Sequence, residues 1–256
     1  RSLSTRGVRK TVRQYSECAV LAKEAGYDGI EIMGSEGYLI NQFLVTATNK
    51  RTDTYGGSFE NRMRFALEII QSIREKVGKD FAIIFRLSML DLVNEGSSWS
   101  EIEMLAKSLE NHGVDAINTG IGWHEARIPT IATLVPRGGF AFVTQKLMGS
   151  VQIPLITTNR FNTIEACEEA LASGCADMVS MARPFLADPE IVNKSKVNSN
   201  AVNTCIGCNQ ACLDHIFKNK IATCLVNPRA SHEDKWPRQA KANVIKRVAV
   251  VGSGPA

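Results

Sequence analysis

The sequence predicts an α/β fold in which short parallel strands alternate with helices. Between Tyr27 and Phe185, five short apolar runs rich in β-branched residues are separated by polar loops and by longer segments with helical periodicity. A glycine follows several of the helical segments, as is common at helix C-termini. Strands that alternate with helices pair in parallel through right-handed crossovers, so the pattern predicts either a doubly wound sheet or a (β/α)8 barrel.

The predicted strands are the apolar runs themselves: Gly29 to Met33, Phe81 to Leu87, Ala116 to Gly120, Pro154 to Thr158 and Met178 to Met181. A closed barrel needs eight strands, so a barrel would place its C-terminal five βα units here and three further units before the first residue. We therefore expect a partial barrel with exposed strand edges, which would not by itself sustain NADPH-dependent turnover.

The helices are predicted from apolar residues spaced three and four positions apart. The clearest spans Phe59 to Val77 and is followed by a glycine. An earlier helix is expected from about Thr11 to Ala25, again before a glycine. A third is expected to begin at the sequence SEIE, because Ser100 and Glu103 have the spacing of a capping box.

Composition and charge exclude some classes of protein. The 30 basic residues exceed the 26 acidic ones by only +4 and are scattered, so a nucleic-acid-binding surface is not indicated. The apolar runs are far shorter than the roughly 20 residues of a membrane helix, so no membrane span is predicted. Cysteines crowded into one segment indicate a reducing compartment, and a cytoplasmic location is expected. The oligomeric state is not predicted, although a monomeric parent is compatible with the sequence.

Four of the seven cysteines form the densest chemical motif. The spacing C-x2-C-x3-C-x11-C joins Cys205, Cys208, Cys212 and Cys224. A compact run of three cysteines with one distant partner favours an iron–sulfur cluster, whereas structural zinc sites usually combine two C-x2-C pairs. Zinc and free core thiols remain alternatives. The other three are expected to be small buried residues: Cys18, Cys167 and Cys175.

Two loops that follow predicted strands carry candidate catalytic groups. In a βα barrel, the loop after each strand faces the active site. Glu36 and Tyr38 follow the first predicted strand, and His124 follows the third. A tyrosine hydroxyl can protonate a carbanion or enolate when a neighbour stabilises the phenolate. The alternatives are that Tyr38 is an amphipathic wall residue and that His124 is structural.

Three arginines are candidate ligands of a phosphorylated cofactor. The loops after the last two strands of a barrel commonly hold phosphate, and Arg160 and Arg183 lie in these loops. Salt-bridged surface arginines are the alternative. Arg86 interrupts an apolar strand and needs an electron-rich partner, which the pyrimidine edge of a flavin would supply.

The closing sequence RVAVVGSGPA has the form of a dinucleotide-binding βαβ start, an apolar strand that runs into two glycines. Gly252 and Gly254 would let the backbone approach a pyrophosphate. A turn that closes an ordinary strand is the alternative.

Longer motifs resemble one protein family. The stretch GYDGIEIMGSEGYLINQFL, followed by TNKRTDTYGGSFENRMRF, resembles the flavin barrel of the old yellow enzyme / NADH:flavin oxidoreductase family. CIGCNQACL with CLVNPR is similar to the iron–sulfur segment of its long multidomain members. With GIGWHEARIPTIATLVPRG added, the resemblance covers essentially the whole chain and favours the bacterial-type 2,4-dienoyl-CoA reductase (NADPH) branch.

One departure from the wider family is informative. Simple members carry a segment H-x-A-H-G-Y that grips a carbonyl oxygen of the substrate, whereas here MGSEGY places Met33 and Glu36 at the histidine positions. The resemblance therefore favours the dienoyl-CoA branch over general ene-reductases. It also makes Glu36 a candidate tuner of Tyr38 or of the flavin.

The resemblance implies three segments in series. These are a partial FMN-binding TIM barrel at 1–198, an iron–sulfur segment at 199–232, and a linker with the first strand of a Rossmann-like FAD/NAD(P)-binding domain at 233–256. Electrons would pass from NADPH to FAD, to a 4Fe-4S cluster on the four cysteines, to FMN, and then to 2,4-dienoyl-CoA in the β-oxidation of unsaturated fatty acids. Tyr38, assisted by His124, would protonate the carbon next to the carbonyl.

The resemblance also implies the binding residues. The FMN contacts would be Arg86, Asn159, Arg160, Ala182 and Arg183. The acyl-CoA contacts would be Thr48, Asn49, Lys50, Arg51, His124, Glu125, Ala126 and Arg127. The remaining alternatives are an enoate or bile-acid reductase or an amine dehydrogenase of the same architecture, and a zinc-stabilised α/β module without catalytic activity.

Overall fold

The computed structural model describes residues 2–236, together with 244, 246–247, 249 and 251–252. Its centre is a five-stranded sheet in the order β1-β2-β3-β4-β5. The strands are β1 (Gly29–Gly34), β2 (Ala82–Leu90), β3 (Ala116–Ile121), β4 (Leu155–Thr157) and β5 (Met178–Val179). All neighbouring strands pair in parallel, which confirms the predicted α/β class. Within the described residues β1 and β5 are the sheet edges, so the sheet does not close on itself there.

Helices connect the strands and continue after them. They are α1 (Thr5–Glu24), α2 (Leu39–Leu44), α3 (Phe59–Val77), α4 (Trp99–Asn111), α5 (Ala141–Leu147), α6 (Ile164–Ala172), α7 (Arg183–Ala187), α8 (Ile191–Val197) and α9 (Leu213–Phe217). None of the helices in the described ranges is both long and apolar enough to cross a membrane.

The two faces of the sheet differ. Phe85 and Leu87 alternate along β2 on one face, where they join the main hydrophobic core with residues of α3 and α4. The intervening side chains point to the opposite face. Met33, Arg86 and Asn118 lie side by side across β1, β2 and β3 in this second set. That face, with the loops at the carboxyl ends of its strands, carries the candidate site.

Two helix starts differ from the prediction. Helix α1 begins at Thr5, where the Ser4 side chain accepts a hydrogen bond from the Gly7 amide, because the buried Val8 already belongs to the apolar stripe. The capping box of α4 is formed by Ser98 and Glu101, not by Ser100 and Glu103. The backbone at Ser98 is extended, whereas Ser100 already lies inside the helix, so the predicted box was two residues too late.

The cysteines outside the dense motif differ in burial. Cys167 is buried as predicted, and burial raises the pKa of its thiol to about 11, assisted by the charges of Glu168 and Glu165. Cys18 is exposed, so its predicted burial was wrong. It lies on the outer side of the amphipathic helix α1 rather than on the stripe that packs against the core.

The predicted start of the dinucleotide-binding unit falls mostly outside the described residues, and Gly254 is among those outside. Gly252 has a φ of 128°, a conformation that glycine adopts more easily than other residues. Its pyrophosphate role and the domain limits at 198/199 and 232/233 stay predictions.

Candidate functional site

The loops after β1 and β3 bring Tyr38 and His124 into contact. The Tyr38 hydroxyl oxygen lies 2.9 Å from Nε2 of His124. The two rings meet edge to face, with centroids 5.2 Å apart. Tyr38 is 48% exposed and His124 is exposed as well, so a substrate can reach both. An imidazole in this position can hold the phenol proton or stabilise the phenolate that remains after the proton leaves.

A second polar pair lies beside this contact. Nε of Arg86 donates to both carboxylate oxygens of Glu36, at 3.0 and 3.2 Å, and both side chains are largely buried. The electron-rich partner predicted for Arg86 is therefore present within the chain. Glu36 has a φ of 55°, a left-handed conformation that is uncommon outside glycine and costs local strain. The neighbouring Gly37, with a φ of 80°, continues the turn.

Gly120 on β3 makes room for the Glu36 side chain. A Cβ at Gly120 would lie 2.6 Å from Oγ of Ser35 and 2.8 Å from Oε1 of Glu36, far closer than van der Waals contact. Any other residue would push the carboxylate away from Arg86. The sequence alone did not indicate this role, because it becomes visible only when β3 is placed next to the loop after β1.

The loops after β4 and β5 place two arginines near each other. Arg160 is 8% exposed, and its Nε donates to the Val135 carbonyl oxygen at 2.9 Å. Burial lowers the pKa of Arg160, and the positive charge of Arg183 lowers it further. The ion pairs of the described residues include neither arginine. A buried cation beside a second cation is costly without an anion, so this arrangement suits a phosphate group.

Two further residues predicted to contact FMN lie in the same loops. Asn159 and Arg160 both have a left-handed backbone, with φ of 69° and 63°, which turns the chain sharply after β4. The Asn159 side chain donates to the Thr130 carbonyl oxygen at 3.4 Å. Ala182 directly precedes α7. Their contact with FMN stays a prediction.

All four cysteines of the dense motif line one small pocket: Cys205, Cys208, Cys212 and Cys224. Burial raises the pKa of Cys224, two backbone amides lower it, and the charges of Cys205 and Cys208 raise it again. The thiols are thus close enough to interact. In the part of the chain that is described, however, no three His, Cys, Asp or Glu side chains form a group that could hold one metal ion.

The cysteine segment packs directly on the arginine loops. Nδ2 of Asn162 donates to the Cys205 carbonyl oxygen at 2.7 Å, and Oγ1 of Thr133 donates to that of Ile206 at 2.9 Å. Arg183 hydrogen-bonds the side chain of Asn209. The predicted phosphate site and the predicted cluster site are therefore neighbours. The residues that join them carried no sequence signal, since isolated Asn and Thr residues are common in loops.

The polar groups of the predicted acyl-CoA loop are largely engaged with the chain itself. Oγ1 of Thr48 donates to the Gln42 carbonyl oxygen at 2.7 Å. Nδ2 of the buried Asn49 donates to two backbone carbonyl oxygens, at 2.6 and 2.8 Å. The Lys50 side chain pairs with Glu95 at 2.9 Å but remains 68% exposed.

Arg51, at the end of this loop, is paired with Asp53 and also donates to the Leu3 carbonyl oxygen. These hydrogen bonds from Arg51 hold the pKa of Asp53 well below its usual range. Arg51 therefore anchors the loop to the start of α1. In the second predicted stretch, Glu125 and Arg127 are exposed and Ala126 is partly buried. Substrate contact by both stretches stays a prediction.

A parallel α/β sheet whose loops gather two uncompensated arginines suits an enzyme that binds a phosphate-bearing cofactor. Residues 1–201 match the NADH:flavin oxidoreductase / NADH oxidase family, and the chain belongs to that family of FMN-binding oxidoreductases. The old yellow enzyme family predicted from the motifs is thereby confirmed. The match does not extend to the specific dienoyl-CoA branch.

Two individual relatives and one solved structure support this family assignment. The chain is 41% identical over 255 residues to the metal reductase of Desulforamulus reducens, covering 99% of this chain and 38% of that protein. It is 34% identical over 273 residues to the cinnamate reductase of Clostridium sporogenes, covering 100% and 41%. A 2-naphthoyl-CoA reductase in complex with 2-naphthoyl-CoA superposes with a TM-score of 0.88 at 33% identity, covering 91% and 36%.

The chain thus spans 38 to 41% of the length of these two relatives. The solved structures that it resembles are TIM-barrel flavoenzymes, in line with the barrel predicted from the sequence.

Proposed function

We propose that this chain is part of an FMN-dependent reductase that hydrogenates a carbon–carbon double bond conjugated to a carbonyl group. The observation that carries the proposal is the Tyr38 hydroxyl, exposed and held 2.9 Å from His124 Nε2. Conjugate reduction requires a proton at the carbon next to the carbonyl, and a phenol whose anion is stabilised is suited to donate it. The likeness to a cinnamate reductase and to a naphthoyl-CoA reductase supports the same chemistry.

Within this class, 2,4-dienoyl-CoA is the substrate that the sequence motifs predict, and a free enoate is its rival. The naphthoyl-CoA complex supports a CoA thioester, and the cinnamate reductase supports an enoate. Lys50 and Arg127 are exposed cations in the two predicted acyl-CoA stretches, as contact with the phosphates of CoA requires. An amine dehydrogenase, which removes hydride from its substrate, would have no need of a proton donor.

FMN fits the residues that the structure brings together. Arg160 and Arg183 offer two cations with no carboxylate partner among the described ion pairs. Arg86 lies beside Asn118, whose buried Oδ1 has no hydrogen-bond partner in the described chain, so this strand face offers polar groups to a ring edge. When bound, FMN supplies hydride chemistry. Arg160 and Arg183 would hold its phosphate, and Tyr38, with His124 beside it, would hold the proton.

We assign an iron–sulfur cluster rather than zinc to the four cysteines on their spacing, a compact run of three with one distant partner. A single zinc ion needs its ligands at about 2.3 Å, so the sulfurs must crowd around one point. Here the four cysteines line one pocket without converging in that way. A 4Fe-4S cluster is larger and has thiolates at separate corners. We place it between FMN and an FAD/NADPH domain that would begin at 233–256, with Gly252 and Gly254 at its pyrophosphate.

We propose the reducing cytoplasm as the location, because four cysteines crowded into one segment suit a metal or redox site rather than a set of disulfides.

A substrate panel tests the proposed function. The holoenzyme that contains this chain is given NADPH and, in separate anaerobic assays, a 2,4-dienoyl-CoA, the corresponding free enoate, and the saturated acyl-CoA as the unreactive control. We expect reduction of the conjugated thioester, with the enoate slower. A holoenzyme that leaves both conjugated substrates intact but oxidises a methylated amine would contradict the proposal.

A further inference from the structure

We infer that Asp91 is a positioning residue that sets the distance between Tyr38 and His124. Asp91 follows β2 and is 4% exposed. It hydrogen-bonds neither of the two rings. Its role is to join the three loops after β1, β2 and β3 through a buried network, here called the Asp91 hub, which consists of Asp91, Asn41, Ser88, Ser97 and Trp123. The inference rests on the proposed function, since it assumes that Tyr38 is the proton donor.

The carboxylate of Asp91 is saturated with donors. Its Oδ1 accepts from Oγ of Ser88 at 2.7 Å, from Nε1 of Trp123 at 2.8 Å and from Nδ2 of Asn41 at 3.1 Å. Its Oδ2 accepts from the backbone N–H of Ser97 at 2.7 Å. Every partner is a donor, so an ionised carboxylate satisfies the whole network. The amide of an asparagine would turn an NH2 group toward at least one donor in either orientation.

The hub reaches the residue before each ring. On the Tyr38 side, Asn41 accepts a hydrogen bond from the Gly37 amide at 2.9 Å. On the His124 side, Trp123 donates to Asp91 through its indole and also through its backbone N–H, which lies 2.9 Å from the Asp91 carbonyl oxygen. A Cβ at Gly37 would lie 2.9 Å from the indole ring of Trp123, so the backbone of the first loop lies directly against this ring.

This arrangement leaves little freedom to the Tyr38–His124 contact. The two residues lie 86 positions apart and come from separate loops. Their hydroxyl-to-nitrogen distance is therefore set by what holds Gly37 and Trp123 relative to each other. Proton donation depends steeply on such geometry. Loss of the carboxylate charge at position 91 should loosen the pair and slow the proton-transfer step while leaving substrate contacts in place.

The test is Asp91→Asn in the holoenzyme, alone and combined with Tyr38→Phe. We expect kcat for the conjugated thioester to fall about 10- to 100-fold, with KM changed less than about twofold. In the Tyr38→Phe background the same change should cost less than about threefold, because the group that it positions is gone. Asp80→Asn, at an exposed position, is the matched control and should leave kcat unchanged.

A readout independent of turnover separates this inference from the proposed function. With Tyr38→3-fluorotyrosine, the 19F resonance should shift or broaden on Asp91→Asn, whether or not Tyr38 donates a proton. Trp123→Phe, which removes one hub donor and keeps a ring, should move the resonance in the same direction if Asp91→Asn fails to fold. An unmoved resonance, or an equal loss of kcat in both Tyr38 backgrounds, would overturn the positioning role. A Tyr38→Phe enzyme with normal turnover would instead contradict the proposed function.

Discussion

Tyr38 and His124 meet with 2.9 Å between the phenol oxygen and Nε2, although they come from the loops after different strands. The contact exists because parallel strands β1 and β3 end at the same edge of the sheet. It gives an exposed hydroxyl a neighbour that can stabilise the charge left after proton donation.

His124→Gln removes the imidazole but keeps a polar side chain at this position. We expect kcat to fall about 10- to 100-fold with little change in KM, because the phenolate loses its stabilising partner. Steady-state kinetics on the conjugated substrate measures the change. His112→Gln is the matched control, since the His112 ring hydrogen-bonds the Ser108 carbonyl oxygen at 2.7 Å at the end of α4 and should affect stability only. Equal losses in the two variants would argue that His124 is structural too.

Gly120→Ala should weaken flavin binding. The new Cβ would press on Ser35 and Glu36 and draw the carboxylate away from Arg86, which would change the charge presented to the flavin. We expect the FMN dissociation constant to rise by about tenfold or more, equivalent to at least about 1.4 kcal/mol. Fluorescence titration of FMN into the apoprotein measures it. Gly7→Ala, inside α1 with only ordinary contacts, should bind FMN as the parent does; an unchanged affinity in Gly120→Ala would count against this role.

Cys208→Ser should abolish iron binding by the cysteine segment. A cluster held by four thiolates loses a corner ligand, so iron and sulfide should fall well below the roughly four of each per intact cluster, together with the visible absorption. Chemical analysis and a visible spectrum measure both. Cys175→Ser, outside the pocket, is the matched control and should keep its iron. A colourless parent protein with one bound zinc would contradict the cluster.

Asp53→Asn should lower stability at neutral pH, and this loss should shrink as the pH falls below the unfolded-state pKa of the carboxyl. The hydrogen bonds from Arg51 lower the pKa of Asp53, so the ionised form stabilises the fold above the unfolded-state pKa near 3.9. That contribution, about 1 kcal/mol for a partly exposed pair, is lost as pH falls through the lower folded-state pKa. Thermal unfolding at pH 7 and at a series of falling pH values should show a deficit that is full at pH 7 and shrinks progressively below the unfolded-state pKa near 3.9. A deficit of the same size at every pH value would mean that packing, not charge, is responsible.

The sequence predicted the fold well where periodicity is local. The spacing of apolar residues from Phe59 to Val77 is enough to define α3, and its observed bounds agree. The placement of Tyr38 and His124 at the same edge of the sheet was also predictable, because the loops that follow parallel strands lie at one edge. The start of α4 was not, since Ser98 and Ser100 both precede a glutamate at capping-box spacing and only the folded backbone distinguishes them.

Long-range partners could not be predicted from spacing. Arg86 pairs with Glu36 because β1 and β2 align Met33 beside Arg86, and register is a property of the assembled sheet. Asp91 had no motif around it. Its importance comes from Asn41 and Trp123, which approach it only once the three strands are side by side.

The most direct test of the central claim is the fate of solvent hydrogen in the product. The holoenzyme is run with NADPH and 2,4-dienoyl-CoA in D2O, and deuterium is located by NMR. We predict deuterium at the carbon next to the thioester carbonyl, and a kcat about 100- to 10,000-fold lower in Tyr38→Phe. Tyr27→Phe, whose ring is 67% exposed, should behave as the parent. Parent-like turnover by Tyr38→Phe, or a product without deuterium at that carbon, would contradict the assignment of Tyr38 as the proton donor.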